Sequence, residues 1–283
     1  SLCDWSSDVC SSDLIDARTT EADWPTLSRV MSDRHFGVGG DGLILIIESD
    51  IADLKMRMFN SDGSEGEMCG NGIRCFAKYA IEQGIVPASE KGLRVETLAG
   101  IRTVFPIMEN GAVSRARVAM GVPHLKLEEI PVRLDDRGGQ KIGEALVNYP
   151  ISIGGVDLQL AFVSMGNPHA VAFIDQPVDE FPLHVVGPLV EHHPMFPRRI
   201  NFEIVNVQDG GHLKARVWER GSGETLACGS GASAIGVASY LLGHTKEFVD
   251  ITLPGGVLNI MWEGQGEVYM EGPAVEVFEG EWK

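Results

Sequence analysis

The chain has 283 residues, 40 Asp plus Glu against 23 Lys plus Arg, a formal net charge of −17, 44% hydrophobic residues and 34 glycines. That length makes one large domain or two ordinary ones, with enough apolar material for real cores. The acidic balance excludes a sequence-independent grip on nucleic acid or on an anionic membrane, since both need clustered Lys and Arg to neutralise phosphate; the expected partner is a small molecule or another protein.

No apolar run of roughly 18 residues or more occurs, and the N-terminus lacks the basic-then-apolar pattern of a signal peptide, so a cytoplasmic protein is expected. The five cysteines (Cys3, Cys10, Cys69, Cys75, Cys228) are odd in number and sparse. Without the close cysteine pairs of zinc sites they predict neither a disulfide framework nor a metal centre.

Taken in chain order, Ser1 to Leu14 comes first, and it is a low-complexity head carrying the near-repeat Ser6-Ser7-Asp8-Val9 and Ser11-Ser12-Asp13-Leu14. It shows neither strand alternation nor a helical stripe, and is expected to be foreign to the fold or disordered. Short β-rich segments follow at Leu43 to Ile47, Lys55 to Phe59, Leu93 to Thr97 and Arg115 to Met120. Later ones lie at Leu158 to Ser164, Ala170 to Ile174, Leu213 to Trp218 and Val249 to Leu253. Gly, Pro, Asn and Asp separate them. Between them, Ile73, Phe76, Ala77, Ala80 and Ile81 share one face of a helix, with Gly84 as its stop. Ala234, Val237, Ala238, Leu241 and Leu242 repeat the stripe, with Gly243 as the stop.

The repetition is general. Met58-Phe59-Asn60, a polar loop and Cys69-Gly70-Asn71-Gly72 correspond to Val217-Trp218-Glu219, a similar loop and Cys228-Gly229-Ser230-Gly231. Val95 to Gly100 then matches Ile251 to Gly256, and Met120 to Pro123 resembles Met270 to Pro273. A repeat of this length predicts a duplicated α/β (α+β) protein, each half a mainly antiparallel, barrel-like sheet around one central helix. The expected division is a head at 1–14, an N-terminal lobe at 15–121 to which 273–283 returns, and a C-terminal lobe at 122–272.

Each repeated cysteine precedes a helix, where unpaired N–H groups and the positive end of the dipole favour anions. Such a position stabilises a thiolate, and the following glycines let an anionic ligand approach the amides. Two such thiols facing each other suit proton exchange at a carbon next to a carboxylate. One thiolate removes the α-proton, the other thiol returns a proton to the opposite face, and helix-end donors meet the developing charge. This chemistry calls for no metal and no pyridoxal cofactor, and it suits a thiol lowered by the helix end toward neutrality as base, while its partner stays protonated. Cys75, inside the first helix, reads as a small buried hydrophobe.

These residues resemble the diaminopimelate epimerase family. The likeness rests on Phe59-Asn60-Ser61-Asp62-Gly63-Ser64, on Met68 to Cys75 and on Trp218 to Gly231. Further agreement lies in Arg34 to Gly42, Ser164-Met165-Gly166-Asn167-Pro168-His169 and Phe196 to Asn201. Racemases of the proline type share the fold but carry His after the first Cys-Gly, where this chain has Asn71. The resemblance implies cofactor-independent interconversion of LL- and meso-diaminopimelate for lysine and peptidoglycan synthesis by a cytoplasmic homodimer. It implies Cys69 and Cys228 as acid/base thiols, with Gly70, Asn71, Gly229 and Ser230 offering amides to the reacting carboxylate. Asn60, Asn167, Asn201 and Arg220 would bind the distal end and Glu219 an ammonium group. His169 would tune a thiol's proton or serve the loop structurally.

One departure stands out. The family opens with a strand and a Gly-Asn-Asp-Phe loop, and counting back from Ile15-Asp16 puts Cys10 where its Asn should be, which predicts impaired turnover and a third thiol able to form a mixed disulfide. Rival readings are another racemase or isomerase of the same fold, a non-catalytic amino-acid-binding protein, and a thiol-disulfide oxidoreductase. Glu219-Arg220 argues against the first, the paired thiols against the second, and the missing resolving cysteine against the third.

Overall fold

The computed structural model describes residues 2–7, 10–135 and 138–282, with side chains from residue 12 onward. The chain divides into two compact units, one of Ser1–Ala119 with Glu271–Lys283 and one of Met120–Met270. The first opens with strands β1 (Leu2–Ser7) and β2 (Cys10–Asp16), helix α1 (Trp24–Met31), and strands β3 (Gly42–Ile47) and β4 (Leu54–Asn60). The short β5 (Glu65–Gly66), helix α2 (Gly72–Glu82) and strands β6 (Leu93–Thr97), β7 (Gly100–Glu109) and β8 (Ala112–Gly121) follow. The second unit holds a small hairpin, β9 (Gln140–Ile142) and β10 (Ala145–Val147), then β11 (Tyr149–Ile153), β12 (Val156–Ser164) and β13 (Pro168–Phe173). Helix α3 (Leu183–Glu191), β14 (Asn201–Val207), β15 (His212–Glu219), β16 (Gly223–Thr225) and helix α4 (Gly229–Leu241) come next. Strands β17 (Phe248–Leu253), β18 (Gly256–Met261) and β19 (Val268–Pro273) precede β20 (Val275–Gly280), which belongs to the first unit.

The first unit orders its strands β20-β1-β2-β3-β4-β6-β7-β8, antiparallel except for the parallel pairs β2 with β3 and β4 with β6. The second runs β11-β12-β13-β14-β15-β17-β18, again antiparallel but for two pairs, β13 with β14 and β15 with β17. In each unit a short strand, β5 or β16, lies antiparallel on the strand before the central helix. The register repeats too. Leu43 opposes Phe59 as Phe202 opposes Trp218, and Asp13 opposes Leu43 as Ala170 opposes Phe202.

Within the head expected to be foreign to the fold or disordered, the described residues 2–7 and 10–14 lie in paired strands. Leu2–Ser7 and Cys10–Asp16 pair with each other and with β20 and β3. Strand pairing is made by backbone N–H and C=O groups, which any residue but proline supplies, so a segment without hydrophobic alternation can still complete a sheet. The side chains of Cys3 and Cys10 lie outside the described residues.

The core explains which elements the hydrophobic pattern reveals. Every residue of β3 from Gly42 to Ile46 is buried, Leu43 and Leu45 packing with Met31 of α1 and Phe59. Strand β14 is likewise buried from Asn201 to Asn206. A strand covered on both faces loses period-2 alternation, which is why β14 escapes a reading based on it. Helix α2 is amphipathic, whereas α4 is buried almost all round, against β12, β13, β14, β17 and β18. Both stop at a glycine in the left-handed region, Gly84 at φ 67° and Gly243 at φ 73°, as glycine stops a helix without steric cost. Among the described residues no helix is long and apolar enough to cross a membrane.

Candidate active site

In the first unit, β4 ends on Asn60, and Ser28 of α1 steadies that end by donating to the carbonyls of Phe59 and Asn60 at 3.2 and 2.8 Å. The Asn60 amide donates to Ser64 Oγ at 2.9 Å. Half-buried Cys69 lies just before α2, and its Sγ accepts from the N–H of Gly72 at 3.2 Å. Gly72 leaves room for Ile44, whose Cδ1 would lie 2.3 Å from a Cβ there and would have to shift. Arg74, fully buried in the first turn, donates from Nη1 to the Gly70 carbonyl at 3.2 Å and to Asn71 Oδ1 at 3.0 Å. Its Nε donates to the Pro273 carbonyl at 3.0 Å. The Gly70-Asn71 turn is thus held by a buried guanidinium.

The second unit gathers more of the expected residues. Cys228 is the residue capping α4, 7% exposed, with extended backbone, and its carbonyl accepts from Ala232 N–H at 2.8 Å. Its Sγ lies 3.4 Å from Ser230 Oγ. Asn167 donates from Nδ2 to Ser230 Oγ at 3.2 Å, and its Oδ1 lies 3.0 Å from Nε2 of fully buried His169. Behind it, His169 Nδ1 lies 2.6 Å from Oε1 of Glu203, also fully buried. Gly231 makes room for that carboxyl, since a Cβ there would stand 3.0 Å from Glu203 Oε1.

Asn201 is buried and turned to the backbone, donating to the Pro168 carbonyl at 2.9 Å and accepting from Arg220 N–H at 2.9 Å. It therefore locks the Asn167-Pro168 turn and the Arg220 backbone. The Arg220 guanidinium is exposed and donates to the Arg198 carbonyl at 3.2 Å rather than to Glu219, which accepts from Thr225 Oγ1 at 2.6 Å. The Glu219-Arg220 pair is not a surface ion pair.

Electrostatics corrects one expectation. Burial pushes the Cys228 thiol well above its ordinary range; Glu219 pushes the same way, and the Ser230 hydroxyl and the Gly231 N–H offset only part of this. Without ligand, Cys228 is therefore a protonated thiol, because the helix end does not outweigh loss of solvation. Burial likewise pushes Cys75, 1% exposed, up to about 12. Sequence reasoning missed Glu203 and Glu191. The latter accepts from Trp218 Nε1 at 2.8 Å and from Gly221 N–H at 2.9 Å, bracing the Glu219-Arg220 turn. The signal for Glu203 was a single charge inside the apolar run Ile200 to Val205.

A profile of the diaminopimelate epimerase family matches residues 12–126 and 161–277. The chain is 52% identical to the diaminopimelate epimerase of Acetivibrio thermocellus, over 90% of this chain and 88% of that one. It is 48% identical to that of Moorella thermoacetica, over 95% and 94%. Among solved structures, a probable proline racemase from Agrobacterium radiobacter shares the fold with a TM-score of 0.69 at 14% identity, covering 98% of this chain and 90% of that one. A Bacillus anthracis phenazine biosynthesis protein of the PhzF family does so with a TM-score of 0.67 at 15% identity, over 98% and 96%. Sequence identity close to half over nearly the whole chain places this protein in the diaminopimelate epimerase family.

Proposed function

We propose that the chain interconverts LL- and meso-diaminopimelate, in lysine and peptidoglycan precursor synthesis, with Cys69 and Cys228 as the two acid/base thiols. The observation that carries this reading is the pair of duplicated thiols, each beside the first turn of its unit's central helix and each touched by a donor from that turn. Substrate carboxylate at the Gly70-Asn71 and Gly229-Ser230 amides is stabilised by fixed N–H groups, and the carbanion next to it shares that stabilisation. Cys228, protonated in the ligand-free protein, is the proton donor when Cys69 is the base; the roles exchange in the reverse direction.

The substrate's second amino-acid centre needs an acceptor and donors, which Glu219, the exposed Arg220 guanidinium, Asn60 and Asn167 supply. Asn201 acts by holding the Arg220 backbone and the Asn167-Pro168 turn. Because one thiolate takes the α-proton and the opposite thiol returns one, the proposed reaction calls for neither metal nor pyridoxal group. A reducing, cytoplasmic setting suits a site whose thiols must stay unoxidised. The assembly proposed from the family likeness is a homodimer, and sedimentation equilibrium at twice the mass of one chain would support it.

Incubation with LL-diaminopimelate in deuterium oxide is the direct test. Deuterium at the α-carbon together with the meso product supports the reading. A reduced, folded protein that binds diaminopimelate without exchange would make it a binding protein.

A further inference from the structure

Behind Cys228 runs a chain of hydrogen bonds whose direction can be read atom by atom. Asn167 presents Oδ1 to His169 Nε2 at 3.0 Å. A carbonyl oxygen only accepts, so Nε2 carries the proton. On its other side the Asn167 amide donates to Ser230 Oγ, which leaves the Ser230 hydroxyl hydrogen free to point at Cys228 Sγ, 3.4 Å away. Three donors in series thus end on the sulfur.

What sets that direction lies one residue further back. With Nε2 protonated, a neutral imidazole offers Nδ1 as an acceptor, and the group 2.6 Å from Nδ1 is Glu203 Oε1. Glu203 is fully buried, and its Oε2 has no hydrogen-bond partner among the described residues. An ionised carboxylate there would leave bare charge in the core, so the carboxyl keeps its proton and donates it to Nδ1. Burial pushes Glu203 above the usual carboxylate range, His169 pulling more weakly the other way.

We infer that Glu203 is a positioning residue for Cys228: as a buried neutral acid it fixes His169 in the Nε2-protonated tautomer, and through Asn167 and Ser230 keeps a hydroxyl donor aimed at the Cys228 sulfur. The inference rests on the proposed acid/base role of Cys228. Without the acid, His169 could protonate Nδ1 instead. Nε2 would then accept, the Asn167 amide would turn to donate to it, and Ser230 would donate to Asn167 Oδ1 rather than to sulfur. The matching positions of the first unit carry different residues. Register places Ile44 where the second unit has Glu203, and Ser12 where it has His169. Three titratable groups bear on Cys228: Glu219 from β15, Glu203 from β14, and His169 from β13, which acts through Asn167.

Two measurements on the full chain test this. Nitrogen-15 NMR of the wild-type histidines, with His169 assigned by its loss in His169→Gln, should show Nε2 protonated and Nδ1 accepting; a proton on Nδ1 with Nε2 bare overturns the proposal. Alkylation by iodoacetamide against pH, read for each cysteine by peptide mass, should show the Cys228 midpoint rising by about one pH unit in Glu203→Leu, a roughly tenfold loss of thiolate at fixed pH. The Cys69 midpoint should stay in place. Glu203→Gln, whose amide N–H can also donate to Nδ1, should return the Cys228 midpoint close to wild type. An unmoved midpoint in Glu203→Leu, or an equal shift in the Gln and Leu variants, overturns the assignment. If Glu203→Leu does not fold, the wild-type tautomer decides. Neither readout needs turnover, so failure of the acid/base role, seen as full activity in Cys228→Ala, is distinguishable from failure of this one.

Discussion

The two helix entrances superpose in sequence and register, yet they bury opposite kinds of group. Before α2, Gly72 sits over Ile44, and the charge in the first turn is the Arg74 guanidinium, which holds the Gly70-Asn71 turn by its carbonyl and amide oxygens. Before α4, Gly231 sits over Glu203, and the position matching Arg74 is Ser233, whose hydroxyl only donates to the Gly229 carbonyl at 2.9 Å. Duplication preserved the backbone frame and the glycine that a close approach demands. It did not preserve the buried polar groups: a guanidinium holds the turn after Cys69, whereas an acid and an imidazole lie behind Cys228. The thiols are therefore not interchangeable, although the duplicated motifs alone make them look so.

The largest effect expected is on the thiols themselves. Cys69→Ala and Cys228→Ala should each lower epimerisation by about a thousandfold, the scale of a lost general acid or base. Stopped-time assays of meso-diaminopimelate from the LL isomer would check it, and an active double variant would end the thiol mechanism. Next comes the buried cation. Arg74→Met should destabilise the protein by about 2–4 kcal/mol, since it strands buried oxygens that accept from the guanidinium, whereas Ser233→Ala should cost about 1 kcal/mol. Urea unfolding of the two variants measures the difference, and equal costs would erase the asymmetry.

A smaller effect concerns the first hairpin. Matching β2 to β13 by register carries Ser12 onto His169 and Cys10 onto Asn167. Cys10→Asn should therefore raise kcat/KM by roughly tenfold, the worth of one hydrogen bond to a charged substrate. Unchanged kinetics would show that the residue takes no part, and a mass shift reversed by reductant in the parent chain would reveal a mixed disulfide at Cys10.

The subtlest effect is a slope. Because Glu203 is held above its ordinary range, the unfolded chain releases its proton at lower pH than the folded chain does, so the stability from this group is full below about pH 4.3 and lost as pH rises. Glu203→Gln lacks that loss. Its Tm relative to wild type should climb from pH 4 to pH 7, and a flat difference would mean that the carboxyl is ionised in the fold.

Much of this was legible along the chain. Both central helices, their glycine stops, eight of the strands and the duplicated Cys-Gly-x-Gly turns show in apolar spacing and in repeated words, because those signals are local. The first hairpin was not legible, since Leu2–Ser7 and Cys10–Asp16 form strands through backbone pairing with β20 and β3, partners distant in sequence. Nor was β14, whose two buried faces erase alternation. Nor were the bonds that the Asn201 side chain makes to the backbone of Pro168 and Arg220, since both partners come from other stretches of the chain.

By itself, then, the amino-acid sequence determined the duplication, the family and the pair of thiols, because motif identity and helical periodicity are properties of neighbours along the chain. The tertiary structure alone decided the protonation of Cys228 and the unlikeness of the two helix entrances. Cys228 is held as a thiol by desolvation and by Glu219, and a hydrogen-bond chain through His169, Asn167 and Ser230 links it to Glu203. Solvation and hydrogen-bond direction depend on what packs around a group in space, and Asn167, His169 and Glu203 all come from distant stretches of the chain.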